Sequence, residues 1–544
     1  MPTVETLKDL VFMLKILFSA GRGLVFTATF LSVFSQILPT GSAYLNKLLL
    51  DHLNRGSFEN SLKIAVIIGI LAIVQSVMSS TFSQLSQKQY YASTVAFATR
   101  YFKAMREMKF SEFENMDSLN RIKRVEKDTL HSFPGLPATL NNLAGSLSVL
   151  FLTATLTSGI NPILFALGAV SVIPMFLTNL SNSKNHFRYA MMNTNSERKA
   201  GYYYGLFSSK NAVKDNLLYG LFDFAERLWK REFISHSSGV ITLHRNHAVK
   251  QFSASLLQLV ILGLAVIHTV YLFTLGRASA GDVVLVSMLL QQIQGSMLTL
   301  LNGISGLHGL LLRSGEFRQL CRTSKRPAQR LDLEEISLEL KDITFRYAGC
   351  TRSLFMPVSL QLQGGEILRI QGPNGSGKTT LTRIMAGLLE PASGEIRING
   401  LTRNPSEIRG VFSVFNVSDM QYAFTAPENI YFSEDIRLTT EQESILPFPK
   451  DRTLGKTFDD SIDLSSGQWQ LIKLLRVLSK DSAVYIFDEP FSQLDPGRKE
   501  WLASQLVQLK RNGKAVIVVS HEPVDIEFDA ELTLEPTGRE VAYA

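Results

Sequence analysis

Six apolar segments, each long enough to cross a lipid bilayer, dominate the first 320 residues of this 544-residue chain. A membrane-spanning helix needs about 20 mostly apolar residues, because the hydrocarbon core offers no partner to an unpaired backbone group. The strongest segments contain IAVIIGILAIVQSVM and LLQLVILGLAVIHTVYLF, and glutamines interrupt the sixth. The segments lie near residues 24–45, 64–84, 135–156, 159–180, 252–274 and 283–312. They predict a six-helix transmembrane domain; the alternative is a set of buried helices in a large soluble protein.

Two long stretches between these segments, at about residues 85–134 and 181–251, are strongly basic. Because positively charged loops of membrane proteins stay in the cytoplasm, both stretches and both chain termini are predicted to be cytoplasmic. The same charge accounts for the net +7, from 55 Lys plus Arg against 48 Asp plus Glu, without a nucleic-acid partner. The two cysteines, Cys321 and Cys350, lack the spacing of a metal or redox site.

The character of the sequence changes near residue 334, where short β-rich runs begin to alternate with Gly-rich turns and helices. This alternation is typical of an α/β domain. The polar, Pro-containing stretch at residues 322–333 is predicted to be a linker. We therefore predict an all-α transmembrane domain over residues 1–325 and an α/β domain over residues 326–544.

A phosphate-binding loop is predicted in GEILRIQGPNGSGKTTLTRIMAGLL, where an apolar strand, a Gly-rich turn and an amphipathic helix follow one another. Glycines let consecutive backbone N–H groups point at phosphates, the helix N-terminus adds its dipole, and Lys378 supplies a point charge. Thr379 is predicted to place its hydroxyl on Mg²⁺. The residues predicted to bind ATP here are Gly372, Pro373, Asn374, Gly375, Ser376, Gly377, Lys378, Thr379 and Thr380.

A second apolar strand, AVYIFDE, ends in two carboxylates, Asp488 and Glu489. Phosphoryl-transfer sites need one carboxylate to hold Mg²⁺ and another group to orient the attacking water. Asp488 fits the first role and Glu489 the second. Taken alone, the Asp-Glu pair is equally consistent with a solvated turn.

The run DLSSGQWQLIKLLRVL lies between these two strand motifs, and it completes a set that resembles the ABC ATPases. The matching motifs are LSSGQ for the signature sequence, FDEP for the Walker B end, SQLD for the D-loop and VVSH for the switch histidine. The resemblance covers residues 334–525 and implies an α/β P-loop ABC ATPase fold. In the family, two such domains close head to tail on two ATP molecules, so that one signature helix caps the partner's nucleotide. The further ATP-contacting residues that the resemblance implies are Tyr347, which stacks on adenine, Ser465, Ser466, Gly467, Gln468 and Asp495, with Glu489 and His521 as catalytic residues.

The sequence departs from the family pattern where a glutamine usually follows an apolar strand and touches Mg²⁺. Here VFSVFNVSDMQ places Asn416 in the best-aligned position, with Gln421 as the alternative. The resemblance implies that Asn416 contacts both ATP and Mg²⁺, with the same amide as glutamine on a shorter side chain. The signature also has Ser466 where the family usually has glycine. We expect activity to survive both changes.

The fusion of six membrane helices upstream of the ATPase domain resembles the exporter arrangement of the family. We therefore predict a homodimeric half-transporter in a bacterial cytoplasmic membrane that exports a small peptide, a lipid or an amphipathic compound. A partial similarity of LGKTFDDSIDLSSGQWQ to bacterial peptide and antibiotic exporters favours peptides. The loop tips near Phe110–Arg124 and Gly220–Glu226 are predicted coupling helices. A heterodimer and an ATP-gated membrane regulator or channel are the alternatives.

Polar side chains within the apolar segments are candidates for the transport pathway, because such residues are costly at membrane depth. Hydrogen bonding between helices is the alternative explanation for each of them. The candidates are Gln36, Gln75, Asn141, Asn142, Gln258, His268, Gln291 and Gln292. No large charged cluster occurs in the segments, which disfavours a strongly ionic substrate. No peptidase-like stretch precedes the first segment, so we expect no leader cleavage by this chain.

Overall fold

The computed structural model describes residues 4–160, 162–323, 335–347, 350, 352–416, 420–456, 458–521 and 523–537. The chain forms two compact units, which are described separately. The helical unit comprises Met1–Arg106 and Asn120–Ser324, and the second unit comprises Glu107–Leu119 and Lys325–Ala544. The predicted linker at 322–333 and the predicted domain boundary at 325 lie almost wholly outside the described residues.

The helical unit consists of long helices, as the apolar segments predict. Its helices are α1 (Val4–Ser19), α2 (Arg22–Asn54), α3 (Phe58–Arg106), α5 (Met116–His131, from Asn120 onward), α6 (Leu136–Ile160), α7 (Pro162–Gly205), α8 (Lys210–Tyr219), α9 (Phe222–Thr274) and α10 (Ala280–Thr323). Five described stretches are long and apolar enough to cross a membrane, and a shorter apolar stretch, Ala166–Asn179, lies in the helix that contains the fourth predicted segment. A helix satisfies the backbone groups of such a segment within the segment itself, without water.

The surface of the helical unit suits lipid better than water. Along α3 a face of aliphatic side chains is exposed, comprising Val66, Ile67, Ile70, Ile73, Val74 and Val77. A contiguous exposed patch of this kind is rare on water-soluble monomers. It is the expected outer face of a membrane helix.

Several of the polar pathway candidates form hydrogen bonds between helices. Asn141 of α6 is 1% exposed; it accepts a bond from the Thr29 hydroxyl (2.7 Å) and donates to Gln89 Oε1 (3.0 Å). Thr40 of α2 donates to Gln292 Oε1 on α10 at 2.6 Å. Gln258 is buried as well. For Asn141 and Gln292 the structure thus supports hydrogen bonding that joins helices.

The second unit contains two β-sheets. The strands are β1 (Ser337–Thr344), β2 (Val358–Gln363), β3 (Ile367–Gln371), β4 (Ser393–Ile398), β5 (Leu401–Thr402), β6 (Phe412–Asn416), β7 (Val484–Asp488), β8 (Ala515–Val519) and β9 (Ala530–Thr533). An antiparallel sheet has the order β2-β1-β4-β5, and a parallel sheet has the order β6-β7-β8-β3-β9. In β7 and β8 every residue is buried, as expected for central strands of a parallel sheet.

Helices cover both faces of the parallel sheet. The helices of this unit are α4 (Phe110–Glu114), α11 (Lys378–Met385), α12 (Pro405–Ile408), α13 (Ala426–Tyr431), α14 (Thr440–Ile445), α15 (Ser466–Ser479) and α16 (Pro496–Arg511). One apolar core lies between α11 and the two sheets, and another joins the parallel sheet to α15 and α16. Parallel strands end at a common edge, so the segments that follow β3, β6, β7 and β8 come together there. The predicted order of a helical domain followed by an α/β domain is confirmed.

Candidate functional site

The phosphate loop connects β3 to the N-terminus of α11, and two of its glycines are required by geometry. Gly372 has φ +152°, and a Cβ there would lie 2.6 Å from the carbonyl oxygen of Leu534. Gly377 has φ +93°, and a Cβ would lie 2.8 Å from side-chain carbons of Leu354 and Phe355. Other residues would be strained at both positions. The loop can therefore pass close to its surroundings.

Lys378 opens α11 and lies across its own loop. Its ammonium group donates to the carbonyl oxygens of Gly372 (2.8 Å) and Pro373 (3.1 Å). Burial lowers the pKa of Lys378, whereas the nearby carboxylates of Glu489 and Asp488 raise it. A partly desolvated ammonium group held over a Gly-rich loop is well placed to meet phosphate oxygens.

The carboxylate of Asp488 lies next to the hydroxyl of Thr379, which donates to its Oδ2 at 2.9 Å. Asn416, at the end of β6, is the register partner of Asp488 at the end of β7. Burial raises the pKa of Asp488; the Thr379 bond opposes this, and Glu489 adds to it. Thr379, Asp488 and Asn416 together offer hydroxyl, carboxylate and amide oxygens, which suit Mg²⁺. The described residues contain no cluster of three His, Cys, Asp or Glu that could bind a metal.

Glu489 is the next residue after Asp488, but its backbone conformation and its exposure to solvent are different. Its φ is +53°, a left-handed conformation that non-glycine residues rarely adopt. Its N–H donates to the carbonyl of Val519 at 2.9 Å, which ties the strained turn to β8. His521 follows β8, and its Nε2 lies 4.0 Å from Glu489 Oε1. Both side chains are about half exposed, so they can reach a bound ligand.

A cavity of about 720 Å³ opens beside the phosphate loop. Its walls include loop residues 372–374, Glu489 and Ser492 after β7, and Ser520 and His521 after β8. Four further lining residues were not singled out by the sequence analysis: Arg369, Gln371, Phe491 and Thr533. The available signal was the polar alternation in ILRIQ, a strand whose remaining residues are apolar.

The signature residues form the N-terminus of α15. Gln468 N donates to Ser465 Oγ (3.3 Å), and Ser465 N donates to Gln468 Oε1 (2.9 Å), a reciprocal capping box. Ser466 starts the helix, and a Cβ at Gly467 would lie 3.4 Å from the carbonyl oxygen of Gln493. A 14-residue helix that begins this way presents a positive N-terminus. Within the described part of the chain, no signature residue lines the cavity beside the phosphate loop.

Two more predicted residues lie at the borders of this region. The Tyr347 hydroxyl is within 3.0 Å of Thr380 Oγ1, and its ring meets Phe345 edge-on at 5.0 Å. Tyr347 therefore stands beside the start of α11 with a partly exposed ring. Asp495 caps α16 by accepting a hydrogen bond from Arg498 N at 3.0 Å.

Comparison with known proteins identifies the family. The family model described as ABC transporter matches residues 355–492. The energy-coupling factor transporter ATP-binding protein EcfA1 of Thermotoga maritima is 36% identical over 34% of this chain and 73% of its own length.

Two relatives match almost the whole chain. The subtilin transport ATP-binding protein SpaT of Bacillus subtilis is 24% identical over 95% of this chain and 89% of its own length. The nisin transport ATP-binding protein NisT of Lactococcus lactis subsp. lactis is 24% identical over 94% and 89%.

Among solved structures, a bacterial Atm1-family ABC exporter with ATP bound has the same fold. Its TM-score is 0.72 at 20% sequence identity, over 94% of this chain and 93% of that chain. The apolar helices and these full-length matches make this a multi-pass integral membrane protein that binds ATP. The chain therefore belongs to the ABC transporter family, as a half-transporter of the exporter fold that couples ATP hydrolysis to transport.

Proposed function

We propose that the chain works as a homodimer that exports a small peptide from the cytoplasm. The observation that carries this proposal is the incomplete nucleotide site. The cavity beside the phosphate loop has Glu489 and His521 in its wall, whereas none of its described lining residues comes from the capped N-terminus of α15. A second copy, related by twofold symmetry, would supply its own α15 to this cavity.

An exposed apolar surface at the tip of the second cytoplasmic loop also supports dimerisation. The large apolar side chains exposed there are Leu217, Leu218, Tyr219, Leu221 and Phe224. The positive-inside tendency puts this tip in the cytoplasm, where such a patch is unfavourable unless a partner covers it. In the proposed dimer the tip is a coupling helix near Gly220–Glu226 and docks on the ATPase domain of the second copy.

The residues of each site have separate tasks in hydrolysis. Lys378 and the loop N–H groups bind the phosphates, and Tyr347 stacks on the adenine. Thr379, Asp488 and Asn416 would hold Mg²⁺, which when bound would neutralise charge on the phosphate oxygens. Glu489 accepts a proton from the attacking water, and His521 holds Glu489 and the terminal phosphate in register. Ser465, Ser466, Gly467, Gln468 and Asp495 act on the nucleotide held by the partner copy.

Closure of the two ATPase domains on ATP then drives alternating access. ATP shifts the equilibrium because it binds the closed dimer more tightly than the open one. The first cytoplasmic loop supports this route, because residues Glu107–Leu119 belong to the ATPase unit although they connect α3 to the part of α5 that belongs to the helical unit. Hydrolysis removes the favourable contacts and resets the transporter in a bacterial cytoplasmic membrane with both termini inside.

The substrate class rests on the relatives that match the whole chain. SpaT and NisT are named for the transport of subtilin and nisin, and we infer a small peptide on that basis. The membrane segments agree with an uncharged or weakly charged cargo, because their polar residues are mainly amides and hydroxyls.

The test is ATP hydrolysis and uptake by the purified chain in lipid vesicles, with Glu489→Gln beside wild type. A panel of small cyclic and linear peptides, lipids and amphipathic drugs serves as the probe set. We expect peptides to stimulate hydrolysis and to accumulate in inside-out vesicles, in wild type only. Stimulation by lipids or drugs alone would overturn the peptide assignment.

The heterodimer and the gated channel are separated by the same preparation. Activity of the purified chain alone excludes an obligatory second half. Accumulation against a gradient that stops with Glu489→Gln excludes a channel, because a channel moves its solute only downhill.

A further inference from the structure

The first cytoplasmic loop, defined here as Glu107–Leu119, packs onto the α/β unit through an aromatic anchor. Phe110 starts the short helix α4 and packs against the apolar core between the two sheets. Asn115 then accepts hydrogen bonds from the N–H groups of Asp117 (2.9 Å) and Ser118 (3.2 Å), which caps α5 and makes a rigid corner. The loop therefore has a defined local structure, and the Phe110 side chain attaches it to the apolar core.

Two ion pairs flank the anchor. Lys109 Nζ lies 2.7 Å from Glu390 Oε1, with both side chains more than half exposed. Glu114 Oε1 lies 3.8 Å from Arg383 Nη1, with both side chains about one-third exposed. Arg383 also stands over the ring of Phe110, with its guanidinium carbon 6.0 Å from the ring centroid. Arg383 therefore contacts the loop twice, through a carboxylate and through an aromatic face.

Arg383 belongs to α11, the helix that begins with the phosphate-binding residues. It lies four residues after Thr379, so the two side chains project from the same face of the helix, one turn apart. Thr379 donates to Asp488, and the charge of Arg383 acts on that same carboxylate. A change in the position of the loop that moves Arg383 would therefore also move the face of α11 that carries Thr379.

We propose that Arg383 is a positioning residue through which Glu114 and Phe110 of the first cytoplasmic loop hold α11, and with it the phosphate-binding residues, in place. The loop meets α11 at Arg383. Its influence on ATP runs through one guanidinium group, while Lys109–Glu390 contributes only to general attachment because Glu390 lies beyond the end of α11. The inference rests on the proposed phosphate-binding roles of Lys378 and Thr379.

A double-mutant cycle on the full chain in lipid vesicles tests this, with ATP affinity and ATP hydrolysis as readouts. Glu114→Gln and Arg383→Met should each lower kcat/KM for ATP about three- to fivefold, mainly through KM, since a partly exposed pair is worth up to about 1 kcal/mol. The double variant should be no worse than Arg383→Met alone, because both changes break one contact. Arg383→Lys should recover part of the loss.

Matched controls separate positioning from docking. Lys109→Gln removes the other ion pair of the loop and should leave kcat/KM for ATP unchanged. Phe110→Leu keeps an apolar plug but removes the aromatic face, so it should resemble Glu114→Gln. It also replaces that variant in the cycle if Glu114→Gln fails to fold, as judged by gel filtration and thermal unfolding.

Three results would overturn the inference. The first is an unchanged kcat/KM for ATP in Glu114→Gln, and the second is a double variant whose loss of kcat/KM is the product of the losses in Glu114→Gln and Arg383→Met. The third is a loss of kcat/KM in Lys109→Gln equal to that in Glu114→Gln. Lys378→Ala distinguishes this failure from failure of the proposed site. If Lys378→Ala abolishes ATP binding while the cycle shows no coupling, the phosphate site stands and the role of Arg383 falls.

Discussion

Two adjacent carboxylates at the end of β7 have opposite environments. Asp488 is the last strand residue and is buried, 7% exposed, beside Thr379. Glu489 turns out of the strand with φ +53° and leaves about half of its side chain exposed beside His521. Backbone strain of this kind concentrates at functional sites. The turn directs one carboxylate at the phosphate-loop threonine and the other at the cavity, so substitutions at the two positions should have different effects.

For Glu489→Gln we expect loss of hydrolysis with retention of ATP. A glutamine keeps the size of the side chain but cannot accept the proton of the attacking water, so kcat should fall roughly 10²–10⁴-fold. Release of phosphate and binding of labelled ATP to the same sample measure the two quantities. Turnover at the wild-type rate would contradict the role of Glu489.

For Asp488→Asn we expect a more stable protein that no longer hydrolyses ATP with Mg²⁺. Burial raises the pKa of Asp488 in the folded state. A raised acid pKa means that the charged form opposes folding at neutral pH, and that stability increases as pH falls through the folded pKa toward the unfolded one. Removing the charge should therefore raise the melting temperature of the nucleotide-free protein at pH 7.

Asp529→Asn is the control, because we expect it to change the melting temperature in the opposite direction. Burial of Asp529 is outweighed by its bonds to Lys510 and to the N–H of Ile367, so its pKa is lowered. A lowered pKa contributes stability that is present at neutral pH and lost as pH falls through the folded pKa. Asp529→Asn should therefore lower the melting temperature at pH 7. Equal shifts in the two variants would contradict the burial argument for Asp488.

Among elements, the N-termini of short helices are built on one repeated local device. Capping boxes begin α12, α13, α14 and α15, at Asn404, Thr425, Thr439 and Ser465. Each follows the pattern of a small polar residue and a Glu or Gln three positions later. The signature residues thus form an ordinary capping box. Their proposed role comes from the nucleotide that the N-terminus of α15 would face in a dimer.

For Ser465→Ala and Thr439→Ala we expect similar stability losses and different activities. Each change removes an N-cap acceptor and should cost about 1 kcal/mol. Only Ser465→Ala should also reduce ATP hydrolysis, because the cap of α14 lies outside the proposed site. Melting curves and hydrolysis rates of the two variants measure these effects. An equal loss of ATP hydrolysis in both variants would mean that the Ser465 cap has only a structural role.

At the scale of the whole molecule, a composite site predicts complementation between two inactive chains. Lys378→Ala destroys phosphate binding, and Gly467→Asp places a negative charge at the start of α15. A mixed dimer keeps one intact site, formed by the Lys378 of one copy and the Gly467 of the other. Mixed dimers isolated through two different affinity tags should show about half of the wild-type hydrolysis if the sites act independently. Mixed dimers as inactive as either parent would contradict the head-to-tail arrangement.

Much of this protein is determined by local sequence. Runs of about 20 apolar residues require helices wherever they are placed in lipid, and the strand, Gly-rich turn and helix around Lys378 fold in the predicted order. Capping boxes such as Ser465 to Gln468 are readable because both partners lie within four residues. The division into a helical half and an α/β half follows from composition alone.

The tertiary structure decided which distant residues meet. Asn416 stands beside Asp488 through strand register, His521 reaches Glu489 because β8 lies next to β7, and Asn141 joins three helices by hydrogen bonds. Arg383 and Glu114, 269 positions apart in the chain, form an ion pair that no local sequence pattern predicts. Contacts of this kind depend on the packing of many elements at once, whereas helices, turns and caps arise from the energetics of a few neighbouring residues.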